Sequence, residues 1–344
     1  MYSYDYFKSQ NLDIDIIEVA PKSESLNRSF MNFLDKYISK ITKISISLDQ
    51  LSQKNIITKI YNSDVIIATN HGLGISLCLL LKLKKIKDKK VFFINAGMFE
   101  KKTRNVIYDF FYNLIINLAI NFSEKIIFTS HKEFQYAIKK NQKNITKFAS
   151  IPFCVDTNFW SPEKINFSEK EGILFVGNNE YRDIDCLLNI AKELKEIKFT
   201  ALTTLIDSDI KVPDNLEIIQ GDLNKNLVDD LEVKRLYQNA RLTILPIKNN
   251  LVSSSGHSVS LQSLAVGTPV LINKFGGFWE DSKDAFEYGY TLVDNSIQDW
   301  IKEILEIYYD EKKFMNKSTK GMEYINRKLN FDIFNEKMKS LIIN

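Results

Sequence analysis

Short runs rich in Ile, Val and Phe recur along this chain between longer segments of helical period, and this alternation limits the possible folds more than any other feature. In the first half the runs are LDIDIIEV (12–19), DVIIAT (64–69), KVFFIN (90–95) and KIIFTS (125–130). In the second half they are GILFVG (172–177), KFTALT (198–203), LEIIQG (216–221), LTILPI (242–247), PVLI (269–272) and YTLV (290–293). Near-continuous apolar strands separated by helices belong to parallel sheets covered on both faces. The predicted class is therefore α/β. At 344 residues the chain exceeds the size at which one core stops growing, so two Rossmann-like doubly wound domains, facing each other, are expected.

The alternation breaks at IPFCVDTNFWSPEK (151–164), where two prolines and an Asp-Thr-Asn turn mark a linker. The predicted domains are 1–157 and 158–325, with 326–344 forming a last helix that returns to the N-terminal domain. Open α/β sheets bind ligands beyond the carboxyl ends of their strands, so the expected site is a cleft where the two sets of strand ends meet.

Several classes are disfavoured by composition. A net charge of +3 provides no field for nucleic acid as the main partner. Cys78, Cys154 and Cys186 are far apart and lack metal or redox spacing, and they read as reduced core residues. No window approaches the roughly 18 apolar residues of a spanning helix, and MYSYDYFKSQ lacks signal-peptide character. A cytoplasmic location is expected, free or against the inner face of the membrane. The acidic triplets Asp13–Asp15, Asp183–Asp185 and Asp207–Asp209 are read as incidental, and neither a metal nor a cofactor is expected.

Two stretches carry chemistry. In GILFVGNNEYRDIDC, Gly177 ends a strand without a Cβ, and Arg182 sits at a helix entrance with a guanidinium suited to phosphate. The alternative is an ordinary βα turn, with Asp183 capping the helix and Arg182 solvated. In SSSGHSVSLQSLAVGTPV, Ser255 and Gly256 precede a short helix over His257 to Ala265, ended by Gly267 and Pro269. The free amides and hydroxyls of that start suit an anion, with Ser258 close by and Gln262 further along able to bond vicinal hydroxyls. Simple capping explains the same residues.

Taken in order, the strand and turn ending in Arg182-Asp183, LYQNARLTILP (236–246), and SSGHSVSLQSLAVGTPVLINKFGG with Glu280 after it resemble the C-terminal domain of retaining glycosyltransferases of family 4, which have the GT-B fold. The linker PFCVDTNFW is similar to that family's crossing between domains. The resemblance covers roughly residues 120–340 and implies residue roles. Arg182 takes the place of the basic residue on the donor diphosphate, and Ser255, Gly256, His257 and Ser258 take the loop and helix start at phosphate and sugar. Gln262 stands where a glutamate holds the ribose, Gly221 with Asp222 and Leu223 lies by the nucleobase, and Glu280 has a structural place.

Three departures accompany the resemblance. Ser254 and Gln262 occupy positions where that family commonly has glutamates, removing a carboxylate from the sugar site. Too little chain precedes LDIDIIEV for the usual first strand and Gly-rich loop. Asn95, Ala96 and Gly97 replace a His-Gly pair, leaving Asn95 or His71 as first-domain candidates, while His131 ends a further strand. The implied activity is retaining transfer of a sugar from a nucleotide-diphosphate donor to a glycan or lipid-linked acceptor in cell-envelope polysaccharide or glycolipid synthesis. Arg182 and His71 are the catalytic candidates. The alternatives are a non-catalytic nucleotide-sugar or glycan-binding partner of a transferase, and a nucleotide-sugar epimerase.

Peripheral membrane contact through the first domain is a further expectation. LLLKLKKIKDKK (79–90) places Lys82, Lys84, Lys85, Lys87, Lys89 and Lys90 beside an apolar helix. In the segment 104–121, Asn105, Asp109, Asn113, Asn117 and Asn121 recur every fourth position and leave a wide apolar face. A solvated charge run beside a core helix is the alternative reading.

Overall fold

β-Branched and aromatic runs become strands, and those inside the second sheet are buried on both faces. In the computed structural model the residues described are 3–19, 30–95, 97–99, 105–163, 165–207, 209–221, 228–249, 254–280 and 286–343. The chain divides into a first unit, Met1–Pro152 with Lys337–Asn344, and a second unit, Phe153–Glu336. Each has a parallel sheet.

In the first unit the strands are β1 (Val65–Ala68), β2 (Lys90–Asn95), β3 (Lys125–Phe128) and β4 (Phe148–Ser150), paired in the order β1-β2-β3-β4. The helices are α1 (Tyr4–Ser9), α2 (Phe30–Thr42), α3 (Leu48–Leu51), α4 (Lys54–Asn62), α5 (His71–Lys82), α6 (Val106–Phe122) and α7 (His131–Lys140). No described strand pairs with the outer edge of β1, so this sheet runs without a reversal. Asn70, Asn105 and Ser130 cap α5, α6 and α7 through their side chains, which starts each crossover helix soon after the preceding strand or turn.

The segment 12–19 is not a strand, contrary to expectation. Asp13, Asp15 and Glu18 interrupt the apolar run that a parallel sheet covered on both sides requires. Asp15 instead pairs with Lys59 at 2.9 Å near the surface, and only Ile17 and Val19 lie against the core. The first acidic triplet therefore lies in unpaired chain rather than in a strand. Strand β4 was not expected, because three residues with one large apolar side chain give too short a signal.

In the second unit the strands are β5 (Ile173–Val176), β6 (Phe199–Leu202), β7 (Leu216–Ile219), β8 (Leu242–Leu245), β9 (Val270–Asn273) and β10 (Tyr290–Val293). The helices are α8 (Ile184–Glu193), α9 (Asp230–Asn239), α10 (His257–Ala265), α11 (Ile297–Tyr308) and α12 (Glu311–Lys328), and α13 (Phe331–Ile343) closes the chain. The order β10-β9-β8-β5-β6-β7 places β5 in the middle. Winding goes out from β5 to β7, then returns to β8 on the other side. The reversal point therefore lies between β5 and β8. Strand β5 sends Leu174 and Val176 into one apolar layer and Ile173 and Phe175 into the other, which explains why its sequence shows no polar alternation.

Close approach of α5 to its sheet depends on a glycine. A Cβ on Gly74 would lie 2.2 Å from Cγ of buried Phe93 on β2. Gly74→Ala should therefore destabilise the protein by about 1–3 kcal/mol through overpacking, measured as a lower urea midpoint, whereas an unchanged midpoint would show that the α5–β2 contact is looser than described.

Candidate functional site

The reversal brings the carboxyl ends of β5 and β8 side by side, and the segments that leave them are joined there. Asp183 N donates to Pro246 O at 2.9 Å and Lys248 N to Tyr181 O at 2.9 Å, with Arg182 and Ile247 forming an antiparallel bridge between them. Asp183 also caps α8 by accepting from Cys186 N at 3.0 Å. Its neighbour Arg182 is not solvated.

The Arg182 side chain turns back over the sheet end and is 3% exposed. Nε donates to Val176 O at 3.2 Å, and Nη1 donates to Ser255 Oγ at 2.8 Å. Two glycines make room for it. A Cβ on Gly177 would fall 2.1 Å from Nε, and one on Gly256, at φ +92°, would fall 3.3 Å from Nη1. The guanidinium thus joins the turn after β5 to the loop before α10.

No described carboxylate lies within ion-pair distance of Arg182. Burial pushes its pKa down to about 10, opposed by the nearby Tyr237, so it remains cationic at neutral pH. A buried charge held only by neutral oxygens costs several kcal/mol, and an incoming anion would offset that cost.

Helix α10 starts with the same polarity. Its N-cap, Gly256, supplies no side-chain acceptor, so the first-turn amides are not capped from within. Those amides and the helix dipole favour negative charge. Ser255 is buried and also accepts from Asn179 Nδ2 at 3.2 Å, while Ser258 is exposed in the first turn.

His257 contributes differently from a polar ligand group. Its ring stacks on Trp279 at 4.3 Å and 16° and lies 5.3 Å from Phe153. Burial pushes its pKa down to about 3, which keeps the ring neutral. Within α10, Ser260 bonds His257 O and Ser263 bonds Thr243 and Thr268 O, so these hydroxyls are used inside the core.

Gln262 is half-buried and accepts from Tyr237 OH at 3.4 Å. Gly221 O accepts from Asn178 Nδ2 at 2.7 Å; Asp222, Leu223 and Ser253 lie outside the described residues. Glu280 accepts from Tyr324 OH, whose ring stacks on Tyr288 at 3.8 Å, so it supports the β10 side of the unit.

Asn178 and Asn179 were missed in the sequence. Asn178 also receives Thr204 N at 2.6 Å, tying the β5 turn to the ends of β6 and β7, and Asn179 orients Ser255. Two adjacent amides directly after a strand-ending glycine were the available signal.

The first unit places His71 and Asn95 at the carboxyl ends of adjacent strands. His71 opens α5; burial lowers its pKa, and its Nδ1 has no hydrogen-bond partner among the described residues. Asn95 is fully buried, accepts from Met98 N at 3.0 Å, and its Nδ2 has no partner among the described residues. Gly97 N donates to buried Glu133 at 3.0 Å, and Ala96 lies outside the described residues. His131 is exposed at the start of α7.

The cysteines are free, with burial pushing each thiol up to about 12. Among the described residues no three His, Cys, Asp or Glu side chains gather as a metal site. Asp183 and Asp185 belong to the start of α8, and Asp207 lies in a turn.

No family model and no curated protein matches this sequence. Solved structures do. HepE of Anabaena, in complex with UDP and glucose, superposes with a TM-score of 0.66 at 10% identity, over 99% of this chain and 88% of that one. A glycosyltransferase of Rickettsia africae gives 0.65 at 13%, over 99% and 88%. WaaG, a glycosyltransferase involved in lipopolysaccharide biosynthesis, gives 0.56 at 13%, over 79% and 84%. The fold is accordingly that of the GT-B glycosyltransferases, α/β with two parallel-sheet domains.

The aromatic enclosure of His257 has a consequence for pH. Its folded pKa, about 3, lies below the ordinary 6.5, so between these values the unfolded chain binds a proton that the folded chain does not. Stability from this residue is complete above about pH 6.5 and falls as pH drops towards 3, by up to about 1.4 kcal/mol per unit. Denaturant titrations of wild type and His257→Phe should converge in pH dependence above 6.5 and diverge below it. Parallel curves would place a charged histidine in the folded state.

Proposed function

We propose that this chain is a retaining glycosyltransferase that moves a sugar from a nucleoside diphosphate sugar to a hydroxyl on a glycan or lipid-linked acceptor, without a metal or other cofactor. The second unit holds the donor and the first presents the acceptor. Cell-envelope polysaccharide or glycolipid assembly is the proposed setting.

The observation that carries this reading is the buried guanidinium of Arg182, with no described carboxylate in ion-pair range, beside the uncapped start of α10. Negative charge builds on the departing diphosphate during glycosyl transfer, and donors fixed in advance stabilise it without reorganisation. Ser255, Gly256 and Ser258 complete the phosphate contacts in this proposal. Gln262 takes ribose hydroxyls, and the chain from Gly221 through Asp222 and Leu223 meets the base. His257 supplies its amide. The neutral His71, whose Nδ1 has no partner among the described residues, is the proposed first-unit group that receives or relays the acceptor proton.

One observation favours a second reading, a nucleotide-sugar or glycan binder without turnover. Ser254 and Gln262 are neutral, and Glu280 is engaged by Tyr324. Release or transfer of sugar by the purified chain separates the two readings.

Arg182→Ala should weaken binding of the best of UDP, GDP and ADP by about 2–3 kcal/mol, the scale of charge-assisted hydrogen bonds, and abolish measurable transfer while the thermal melt stays cooperative. Gln262→Ala should cost about 1 kcal/mol in the same calorimetric titration. Unchanged diphosphate affinity in Arg182→Ala would overturn the site assignment.

A further inference from the structure

Tyr237, near the end of α9, is fully buried, and its backbone and ring are both fixed. Its ring meets Trp160 edge-on at 5.9 Å and 77°, and its carbonyl accepts from Thr268 Oγ1 at 2.6 Å. Thr268 Oγ1 in turn accepts from the buried Lys170 Nζ at 2.9 Å, and Lys170 also donates to the carbonyls of Gln238 and Ala240. A cation thus holds the carbonyl end of α9, where the helix dipole is negative. The hydroxyl of Tyr237 is carried on a side chain with little freedom to turn.

That hydroxyl lies between two groups of opposite demand. Arg182 is close, since each residue shifts the pKa of the other. A nearby cation turns a hydroxyl oxygen towards itself and the proton away. Burial raises the phenol's pKa more than Arg182 lowers it, so the proton stays on. Among the described residues that proton has one acceptor, Gln262 Oε1 at 3.4 Å.

The other orientation of the Gln262 amide is disfavoured. With Nε2 facing the hydroxyl, the phenol proton would have no described acceptor, and a buried donor left unpaired costs more than a neutral hydrogen bond returns. Oε1 is therefore occupied. Nε2 makes no hydrogen bond with a described residue, and it is the end of this half-buried side chain left for a ligand. A carboxylate at this position could only accept, whereas the amide held in this way can only donate.

We infer that Tyr237 is a specificity-determining positioning residue: by engaging Gln262 Oε1 it makes Nε2 the reading atom, so the ligand group that meets Gln262 must accept a hydrogen bond. The inference rests on the proposed donor site and assigns it a polarity. A ribose hydroxyl is read there through its oxygen and not through its proton. Arg182 and the first-turn amides of α10 are donors as well, so the same polarity extends from the diphosphate to the sugar of the nucleoside.

Calorimetric titration tests this with the tightest-binding nucleoside diphosphate, its 2′- and 3′-deoxy forms, its 2′- and 3′-amino forms and inorganic pyrophosphate. At about pH 5 the amine is an ammonium and can only donate. Wild type should bind the parent about three- to tenfold better than one of the deoxy forms, the worth of one neutral hydrogen bond, and should bind the amino form at that position no better than the deoxy form. Gln262→Glu should raise the amino-to-deoxy affinity ratio at least about tenfold. Tyr237→Phe frees the amide to turn Oε1 outward and should raise the same ratio at least about fivefold, while pyrophosphate affinity stays within about twofold because Arg182 is untouched. A cooperative thermal melt and that retained pyrophosphate binding confirm that the variant folds. If wild type binds none of these compounds, the donor reading falls and this inference with it. If wild type binds them but already prefers the ammonium, or shares one amino-to-deoxy ratio with Tyr237→Phe, this inference alone is overturned.

Discussion

The guanidinium of Arg182, seated against Gly177 and beside Gly256 at the reversal of a parallel sheet, organises the carboxyl end of the second unit's sheet. It joins a carbonyl at the end of β5 to the Ser255 hydroxyl before α10. Neither turn could keep its form with an ordinary residue at its glycine. At Gly177 a methyl group would occupy the guanidinium's place, and at Gly256 the positive φ adds backbone strain. The requirement for glycine follows from the position of the arginine.

That arrangement is expensive unless an anion completes it. Folding buries the charge, and the described oxygens that hold it, Val176 O and Ser255 Oγ, are neutral; Tyr237 lies near it, and His257 packs with Trp279 and Phe153 at the helix start. The enclosure keeps His257 neutral, so positive charge concentrates on Arg182 and the amide ends of α10. A polar site with fixed donors and little freedom to relax is suited to an incoming diphosphate.

Much of the fold could be read in the sequence because two-sided burial leaves unbroken apolar runs. KVFFIN corresponds to β2 over its whole length, and YTLV to β10. LDIDIIEV misled because its hydrophobic total resembles a strand while its acids prevent burial of both faces. The turn at Gly177 and the helix start at Gly256 were each legible as local motifs. Their union was not, because it depends on β5 lying beside β8, a long-range property of the sheet order. For the same reason the lysine run and the apolar start of α6 could not be placed from the sequence: Lys82 stacks over Phe122 at the last residue of α6, away from Val106 at its first.

The central claim is that recognition at this end of the second unit is directed at the diphosphate. Calorimetric titration of the wild-type chain with a nucleoside, its monophosphate and its diphosphate, using the base that binds best, tests this most directly. The account predicts that most of the affinity appears with the phosphates and increases with the second one, and that inorganic pyrophosphate competes. Equal affinity for nucleoside and diphosphate, or no competition by pyrophosphate, would contradict it.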